Sequence, residues 1–540
     1  MEVATMKSIE IKNMRCLKDT GIIELPPITI LVGENSSGKS TFLRSFPLLK
    51  QSFRKRKNGP ILWAGDYDDY VDFGSFPETI TRDGSQDISF RFEFNLPREM
   101  ELNPIQELIF RQYDIDIKNA FGNANVVYTI IIASDGKREF VSKLEITLGQ
   151  TEVVFSRAHI GDMASISIDG MAVDIPELRH EFDMRPATLF GLDGASCAFE
   201  FVFPNISGLF VSLQDKIVEG VLKGKKDVDL LWVGLDFGVV AQYIGAQLCT
   251  GKTIEDIVKG RGKRFGKTEK NISNIFQKIE ERIMGMAPSQ KQLTLNRFKL
   301  IYVYSRLAQI DEYITYYFRQ VHYIAPLRAT AERYYRLRNL AIDEIDFQGK
   351  NLAVFLNSLA EDRLKAFQDW TQEMFSFQIK PRKSEGHISI GILTADGQSI
   401  NLSDTGFGYS QILPIITQLW ELSTRKRERG GVIPLVVAIE QPELHLHPAM
   451  QAKLVDTFIG SIQLAKDCGY QLQLLLETHS ETIINRFGRA VAMKEIESND
   501  LSVITFQKNR TTNLSSVRVS QYDEDGLLTN WPVGFFSPEE

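Results

Sequence analysis

Polar and apolar residues alternate from Ser8 to Lys12, which predicts an edge-type strand. Pro26 and Pro27 break the chain, and residues 28–32 follow as a continuous, β-branched-rich apolar run, the pattern of a buried strand. After a glycine-bearing stretch from Gly33 to Thr41, Phe42, Leu43, Phe46, Leu48 and Leu49 recur at helical spacing. Strand, loop, helix is the predicted order there. From about residue 88 to residue 168 the period falls to two. Residues 90–94, 126–132, 140–148 and 165–168 read as strands separated by Gly, Asp and Asn turns. Helical periodicity dominates residues 208–318, interrupted at residues 259–267 by a basic, glycine-punctuated break that reads as an exposed loop. Residues 351–375 form another helical stretch. Strands return from Ile388, ending in two apolar runs at residues 433–439 and 472–476. The chain shows no internal repeat and no sustained heptads.

Composition narrows the classes. The 540 residues allow three or four compact units, with 43% hydrophobic and 24% charged residues, ordinary for a globular protein. The charge balance, 62 − 69 = −7, excludes a basic nucleic-acid coat protein, though a local basic patch on an acidic body stays open. The four cysteines (Cys16, Cys197, Cys249, Cys468) show no CxxC spacing, so a reducing cytoplasm fits better than a disulfide scaffold. The amino terminus has no apolar leader core. The most apolar longer stretch, residues 230–244, is interrupted by Asp236 and Gln242 and falls short of the roughly 20 apolar residues that a membrane span needs. A soluble cytoplasmic protein is expected.

Gly33, Glu34, Asn35, Ser36, Ser37, Gly38, Lys39 and Ser40 match GxxxxGK[ST]. A loop of this kind wraps a phosphate with backbone N–H groups, and its glycines permit close approach and positive φ. Lys39 would reach the β- and γ-phosphates, the Ser40 hydroxyl would ligate Mg²⁺, and Thr41 continues into the helix whose amino end faces the anion. The competing reading, a chance glycine turn, is disfavoured by the strand before and the helix after. Residues 50–57 form a basic run that reads as a solvated helix end, with contact to nucleic acid or an acidic partner as the sharper alternative; residues 259–267 share that ambiguity.

The apolar run at residues 433–439 ends in Glu440, Gln441, Pro442 and Glu443. A hydrophobic strand terminating in an acid is how P-loop proteins place a Mg²⁺ partner and a water-activating group. Glu440 is the metal-side candidate. Gln441 stands where a general-base carboxylate is expected and can orient water but not accept its proton; Glu443 is the substitute base. Three of the seven histidines follow: His445, His447 and, after the second apolar run, His479. A His-x-His metal site lacks a third ligand at zinc spacing. His479 is therefore read as a γ-phosphate contact, and His445 and His447 as lying at a subunit contact.

Four segments thus stand in fixed order: the loop at Gly33, residues 402–411, the Glu440 strand, and His479. This order resembles the ABC-type ATPases, near the heads of SMC and double-strand-break repair proteins and the OLD-family nucleases. Residues 323–335, the block from Glu440 to Pro448 and the closing residues 530–536 are similar to the bacterial AAA-family ATPases that include PtuA, the ATPase of Septu and of some retron defence systems. The resemblance implies an α/β fold: an ABC-type P-loop head with an antiparallel β lobe and a helical insertion. Its expected divisions are residues 1–205 (P-loop half and β lobe), 206–320 (helical insertion) and 321–540 (signature, acidic strand and histidine motif). It also implies that ATP with Mg²⁺ is sandwiched between two copies of the chain, with the signature of one closing on the P-loop of the other. Ser403, Gly408 and Ser410 are the candidates for that contact. The glutamine loop of the family has its nearest counterpart at residues 72–76, which contain no Gln.

Departures from related families matter as well. SMC-type heads carry long coiled coils between P-loop and signature; strands, glycines and short helices occupy that interval here. OLD nucleases carry a further domain after the histidine motif, but 540 − 479 leaves 61 residues, and Asp523, Glu524 and Asp525 before Gly526 read as a turn. The leading expectation is an anti-phage ATPase whose nucleotide-dependent oligomer controls a separate HNH nuclease of the PtuB type, joined in a retron setting by a reverse transcriptase and its RNA–DNA product. A stand-alone DNA-repair or recombination ATPase, and an ATP-holding scaffold with little hydrolysis, are the competing functions.

Overall fold

The computed structural model describes residues 5–54, 59–66, 69–96, 125–159, 165–173, 285, 287–336, 344–394, 397–425 and 433–531. Most of the expected helical insertion, both cysteines Cys197 and Cys249, the basic break at 259–267 and residues 532–536 of the closing motif lie outside these described residues. The chain divides into two compact units, each discontinuous in sequence: residues 1–6, 56–61 and 89–315, and residues 7–55, 62–88 and 316–540.

The second unit opens with β1 (Thr5–Met14), β2 (Leu17–Asp19) and β3 (Ile23–Glu24), with β1 antiparallel to both of the others. Next come β4 (Ile28–Gly33), buried at every position, α1 (Lys39–Arg54) and the single-turn α2 (Phe76–Thr79). Ser75 and Glu78 close a reciprocal capping box at the start of α2, which fixes that turn without tertiary help.

The first unit is an antiparallel meander of β5 (Asp87–Asn95), β6 (Asn125–Ser134), β7 (Glu139–Leu148), β8 (Thr151–Ser156), β9 (Ser165–Ile168) and β10 (Met171–Val173). These strands lie in that sequential order. Local turn chemistry sets the register. Asp135 accepts from the N–H groups of Lys137 and Arg138 at 2.8 Å each, closing β6 onto β7. Asp169 and Gly170 both adopt positive φ (51° and 76°) in the two-residue loop between β9 and β10. The periodicity located four of these strands; β8 lies in a short apolar cluster, Val153 to Phe155, that has no clear alternation. Helix α3 (Pro288–Arg319) contributes the buried Val303, Ile310, Tyr313 and Ile314 to this unit.

The chain then completes the second unit with β11 (Val321–Ile324), β12 (Tyr335–Arg336), α4 (Leu352–Ser358), α5 (Glu361–Phe375), β13 (Phe377–Ser384), β14 (His387–Thr394), β15 (Ser399–Asn401), α6 (Phe407–Thr424), β16 (Ile433–Glu440), α7 (Pro448–Asp467), β17 (Tyr470–Glu477), α8 (Glu481–Ala492), β18 (Leu501–Lys508) and β19 (Ser515–Ser520). Its heart is a parallel run in the order β18, β4, β17, β16, β11. All-parallel strands are buried on both faces, which explains their unbroken apolar sequence. On one face Ile28, Ile30, Val437, Ile439, Leu474 and Leu476 join the core formed with α6, α7 and α8. On the other lies α1, with Phe42 and Phe506 ring centroids 6.0 Å apart. A small antiparallel sheet of β12, β14, β13 and β15 adds Phe377, Ile379, Ile388 and Ile390 to the first core. The fold is therefore α/β with an antiparallel β lobe. Among the described residues no helix is long and apolar enough to cross a membrane.

Candidate nucleotide site

The parallel strands β4, β16 and β17 end at the same level, and the loops that leave them converge. Between β4 and α1 the chain turns through Glu34, Asn35 and Ser36, all exposed, then Ser37, Gly38 and Lys39, all buried. Gly33 and Gly38 sit at φ 153° and 99°, and Ser36 at 60°. A side chain at Gly33 would place a Cβ 2.2 Å from the Phe506 carbonyl oxygen, and one at Gly38 2.6 Å from Leu17 Cδ2. Glycine is required at both positions by backbone angle and by space. The Ser37 Oγ is buried without a hydrogen-bond partner among the described residues. A concave, glycine-lined loop with an unsatisfied hydroxyl, opening a 16-residue helix, suits a phosphate.

Lys39 is 3% exposed and folds back, its Nζ donating to the carbonyls of Gly33 (3.0 Å) and Glu34 (2.7 Å). Burial lowers its pKa, opposed by the charges of Glu477, Glu34 and Glu443. Thr41 is buried in the first turn of α1. Ser40 donates its hydroxyl proton to Glu477 Oε1 at 2.8 Å. One helical turn on, Arg44 donates from Nε and Nη2 to both oxygens of Glu440, at 2.6 and 2.7 Å. Positions i and i+4 of a helix share a face, so α1 presents a hydroxyl and a guanidinium to the ends of β17 and β16.

Glu440 and Glu477 are paired residues of adjacent parallel strands. Glu440 is fully engaged: besides Arg44 it accepts from the Tyr323 hydroxyl at 2.7 Å, and its carbonyl accepts from Arg328 at 2.8 Å. Glu477 is different. Burial and the neighbouring Glu440 charge push its carboxyl up to about 7, against the pull of Ser40, Lys39 and Arg44. Its Oε2 is buried with no partner among the described residues.

The turn after β16 carries the remaining acidic-strand residues. Gln441 adopts φ 45°, and its N–H donates to the Glu477 carbonyl at 2.8 Å. Glu443 Oε1 accepts from the His479 N–H at 2.7 Å, while Oε2 is buried and unpartnered among the described residues. Burial raises the Glu443 pKa. His479 comes directly after β17, and partial burial and the Lys39 charge hold its imidazole below the ordinary histidine value. Arg328, 6% exposed, leaves Nε and Nη1 without hydrogen bonds among the described residues. His447 caps α7, its Nδ1 accepting from the Ala449 N–H at 3.3 Å, and His445 lies 5.8 Å from the Phe407 ring.

The structure thus gathers Gly33 to Thr41, Glu440, Gln441, Glu443 and His479 around the ends of β4, β16 and β17. The signature residues are held differently. Ser403 donates to Asn401 Oδ1 at 2.9 Å and lies in a short turn that precedes α6. Ser410 donates to the Phe407 carbonyl at 2.8 Å. A Cβ at Gly408 would lie 3.2 Å from the His445 carbonyl oxygen. The hydrogen bonds of Ser403 and Ser410 are all local, and none reaches the Gly33 loop. In sequence, Glu477, Arg44, Tyr323 and Arg328 carried no assigned role, although Tyr323 and Arg328 lie in the family-like segment 323–335. Glu477 had a readable signal, since it ends an apolar strand just as Glu440 does.

A family model described as an AAA ATPase domain matches residues 6–160 and 254–484. The chain belongs to this ATPase family. The ATPase is similar in structure to the Smc head domain with an extended coiled coil bound to the C-terminal domain of ScpA from Pyrococcus furiosus, at 11% identity over 96% of each chain and a TM-score of 0.32. It is also similar to the SMC head domain from Thermotoga maritima, at 8% identity over 95% of this chain and 98% of that one, TM-score 0.33. The Smc head domain with a coiled coil and joint from Pyrococcus yayanosii matches at 12% identity over 97% and 98%, TM-score 0.33. No curated protein matches the chain.

Nucleotide binding follows from the family, and the residues fit a Mg²⁺-nucleotide: a glycine cradle, an unsatisfied Ser37 hydroxyl, a lysine, a serine hydroxyl and a carboxylate with a free oxygen. Among the described residues no group of three or more His, Cys, Asp or Glu is placed to hold a metal alone. A magnesium ion here would share its coordination with the phosphates, as is usual for that ion. When bound, it would neutralise developing charge on the transferred phosphoryl group.

Proposed function

We propose that this ATPase is the nucleotide-driven subunit of a bacterial anti-phage defence system of the PtuA type, acting through a separate HNH nuclease. ATP closes between two copies of the chain: the Gly33 loop, Lys39 and Ser40 of one copy grip the phosphates, and Ser403, Gly408 and Ser410 of the other cover them. The observation that carries this reading is the separation of those two sets in hydrogen bonding. Ser403 and Ser410 bond only to their own turn, and Phe407 beside them stands 61% exposed. An exposed aromatic at the start of α6 suits a surface that a second copy covers. Glu440, Gln441, Glu443 and His479 then act on the γ-phosphate side, with Gln441 and Glu443 orienting water and His479 contacting phosphate. In a retron setting a reverse transcriptase and its RNA–DNA product complete the assembly.

Light scattering with and without Mg-ATP tests the oligomer, and a phage challenge of cells carrying the gene with its neighbours tests the role. Mg-ATP is expected to drive association. Lys39→Ala is expected to abolish association, turnover and protection together. Protection that persists in Lys39→Ala cells would refute the reading. Turnover strongly stimulated by DNA without any partner would favour a repair ATPase instead. A second reading, an ATP-holding scaffold, is favoured by Gln441, because an amide at that position cannot take a proton from water. Bound but uncleaved ATP in the purified oligomer would select it.

A further inference from the structure

We infer that Arg328 is a positioning residue for ATP hydrolysis: it fixes the peptide from which Gln441 and Glu443 leave β16, and it supplies the counter-charge of Glu443. This rests on the reading of Gln441 and Glu443 as the groups that orient water beside the γ-phosphate. It extends that site to a side chain that acts through the strand end.

The peptide between Glu440 and Gln441 closes β16. A trans peptide points its N–H and its carbonyl to opposite sides. On one side the Gln441 N–H donates to the Glu477 carbonyl of β17 at 2.8 Å. On the other side lies β11, whose pairing with β16 stops at Ile324 opposite Ile439. The Glu440 carbonyl therefore stands one step beyond the end of its ladder, and a buried carbonyl without a donor is destabilising. Arg328 is that donor, with Nη2 at 2.8 Å from the Glu440 carbonyl and 3.4 Å from the Gln441 carbonyl. Arg328 is itself held on both sides. The N–H groups of Ala325 and Ala329 donate to the carbonyls of Phe347 (2.9 Å) and Gln348 (2.8 Å), which fixes the loop after β11. Earlier in the same segment, the Tyr323 hydroxyl donates to the Glu440 side chain at 2.7 Å. One short segment thus pins both the carboxylate and the carbonyl of the acid that ends the strand.

Part of the guanidinium remains unspent. Arg328 is 6% exposed, and its Nε and Nη1 have no partner among the described residues. Glu443 Oε2 is likewise buried and unpartnered among them. Of the charges around Arg328, that of Glu443 attracts it most. The charged and titratable neighbours of Glu443 are Arg328, Lys39 of the P-loop and His479, whose backbone N–H holds Oε1 at 2.7 Å. A guanidinium keeps its charge where an ammonium would lose it on burial, which suits it to face a carboxylate in a dry site. Arg328 therefore ties the strand end to the turn that follows: hydrogen bonds to two successive carbonyls, and attraction to the carboxylate beyond them. Those hydrogen bonds do not go to the Gly33 loop, Lys39 or Ser40. Removing Arg328 should loosen the turn and leave the phosphate cradle in place.

The test measures nucleotide affinity and turnover separately in the full chain, by fluorescent-ATP titration and by phosphate release. Arg328→Met is expected to bind nucleotide near wild type, which also shows that it folds. Its kcat should fall by about 10²-fold, the scale of a reacting group displaced by about 1 Å. Glu443→Gln should lose turnover as well, and adding Arg328→Met to it should cost little more, because both changes disable one unit. Arg328→Lys keeps the charge and one donor for the Glu440 carbonyl. Its kcat should lie between wild type and Arg328→Met, and it carries the test if Arg328→Met does not fold. A purely structural arginine would lower the melting temperature and leave the kcat of folded protein unchanged. Wild-type kcat in every folded variant, a loss of affinity as large as the loss of kcat, or losses that multiply in the double variant would overturn the inference. Wild-type protein that binds nucleotide without turning it over would instead bring down the hydrolytic reading itself, and this inference with it.

Discussion

Arg44 grips Glu440 with two hydrogen bonds of 2.6 and 2.7 Å across 396 residues of sequence, joining the second turn of α1 to the end of β16. Such a pair matters most when one partner is removed, because the other is left charged in a dry place. Arg44→Met leaves Glu440 with Tyr323 and the strand end, and the variant should lose about 2–3 kcal/mol in chemical denaturation without nucleotide. That is less than a fully buried pair would lose, because the Arg44 side chain is 36% exposed. Adding Glu440→Gln should return part of the loss, since no buried charge then remains. Equal stability of wild type and Arg44→Met would show that the pair holds nothing together.

Gln441 stands at the first position after β16 with its backbone N–H tied to the Glu477 carbonyl. That bond fixes where its side chain starts, so Gln441→Glu introduces a carboxylate without rebuilding the turn. Turnover under single-turnover conditions should rise, with a ceiling of about 10²- to 10⁴-fold set by what a positioned base contributes. An unchanged rate would mean that the raised, half-free carboxylate of Glu443 already takes the proton.

Away from the nucleotide, Lys50 is 3% exposed and its Nζ meets Glu344 Oε1 at 2.7 Å. His322 Nδ1 approaches the same oxygen at 3.1 Å, Gln418 lies beside the imidazole, and the Tyr70 ring lies under Lys50. Burial works against the Glu344 charge, but His322 and Lys50 outweigh it and hold the carboxyl at about 2. A folded value below the unfolded one of about 4.3 means that Glu344 stabilises the fold fully above roughly pH 5, and that the contribution is lost as pH falls toward 2. Burial also lowers the His322 pKa, so protonation of the unfolded state below about pH 6.5 tilts stability in the same direction. Glu344→Gln should lose about 3–5 kcal/mol at pH 7, because Lys50 is left buried without its counter-charge. The gap between variant and wild type should narrow below pH ~4. A gap that stays constant down to pH 3 would refute the assignment.

The features that sequence could announce are those whose cause is local. The Gly33 loop, the apolar strand leading into it and the Asp169–Gly170 turn each follow from a few consecutive residues. Residues 351–375 read as one helical stretch, yet the chain breaks between α4 and α5, where Leu359 and Ala360 adopt extended angles and Glu361 and Asp362 open a new first turn. Periodicity cannot register a break that leaves the apolar spacing nearly intact. The charged partners of the site were hidden for a different reason. Arg44 and Glu440, Ser40 and Glu477, and Tyr323 and Glu440 are separated by 396, 437 and 117 residues, and only the strand order brings them together. Glu440 could be recognised as an acid at a strand end, but its neutralisation by Arg44 depends on which helix face meets that end.

The two loop glycines are not equivalent, and their difference can be measured. At Gly33 a Cβ would lie 2.2 Å from the backbone oxygen of Phe506, which is held in β18 beside β4 and cannot move without breaking the ladder. At Gly38 the nearest atom, 2.6 Å away, is the end of the Leu17 side chain, which can change rotamer. Both positions also have positive φ, a strain of about 1–3 kcal/mol for a residue with a side chain. Gly38→Ala should therefore lose about that much, while Gly33→Ala should lose more, about 3–5 kcal/mol in total once the backbone clash is added. Thermal unfolding without nucleotide should rank wild type above Gly38→Ala and Gly38→Ala above Gly33→Ala. The reverse order would mean that β18 is free to shift away from the P-loop strand.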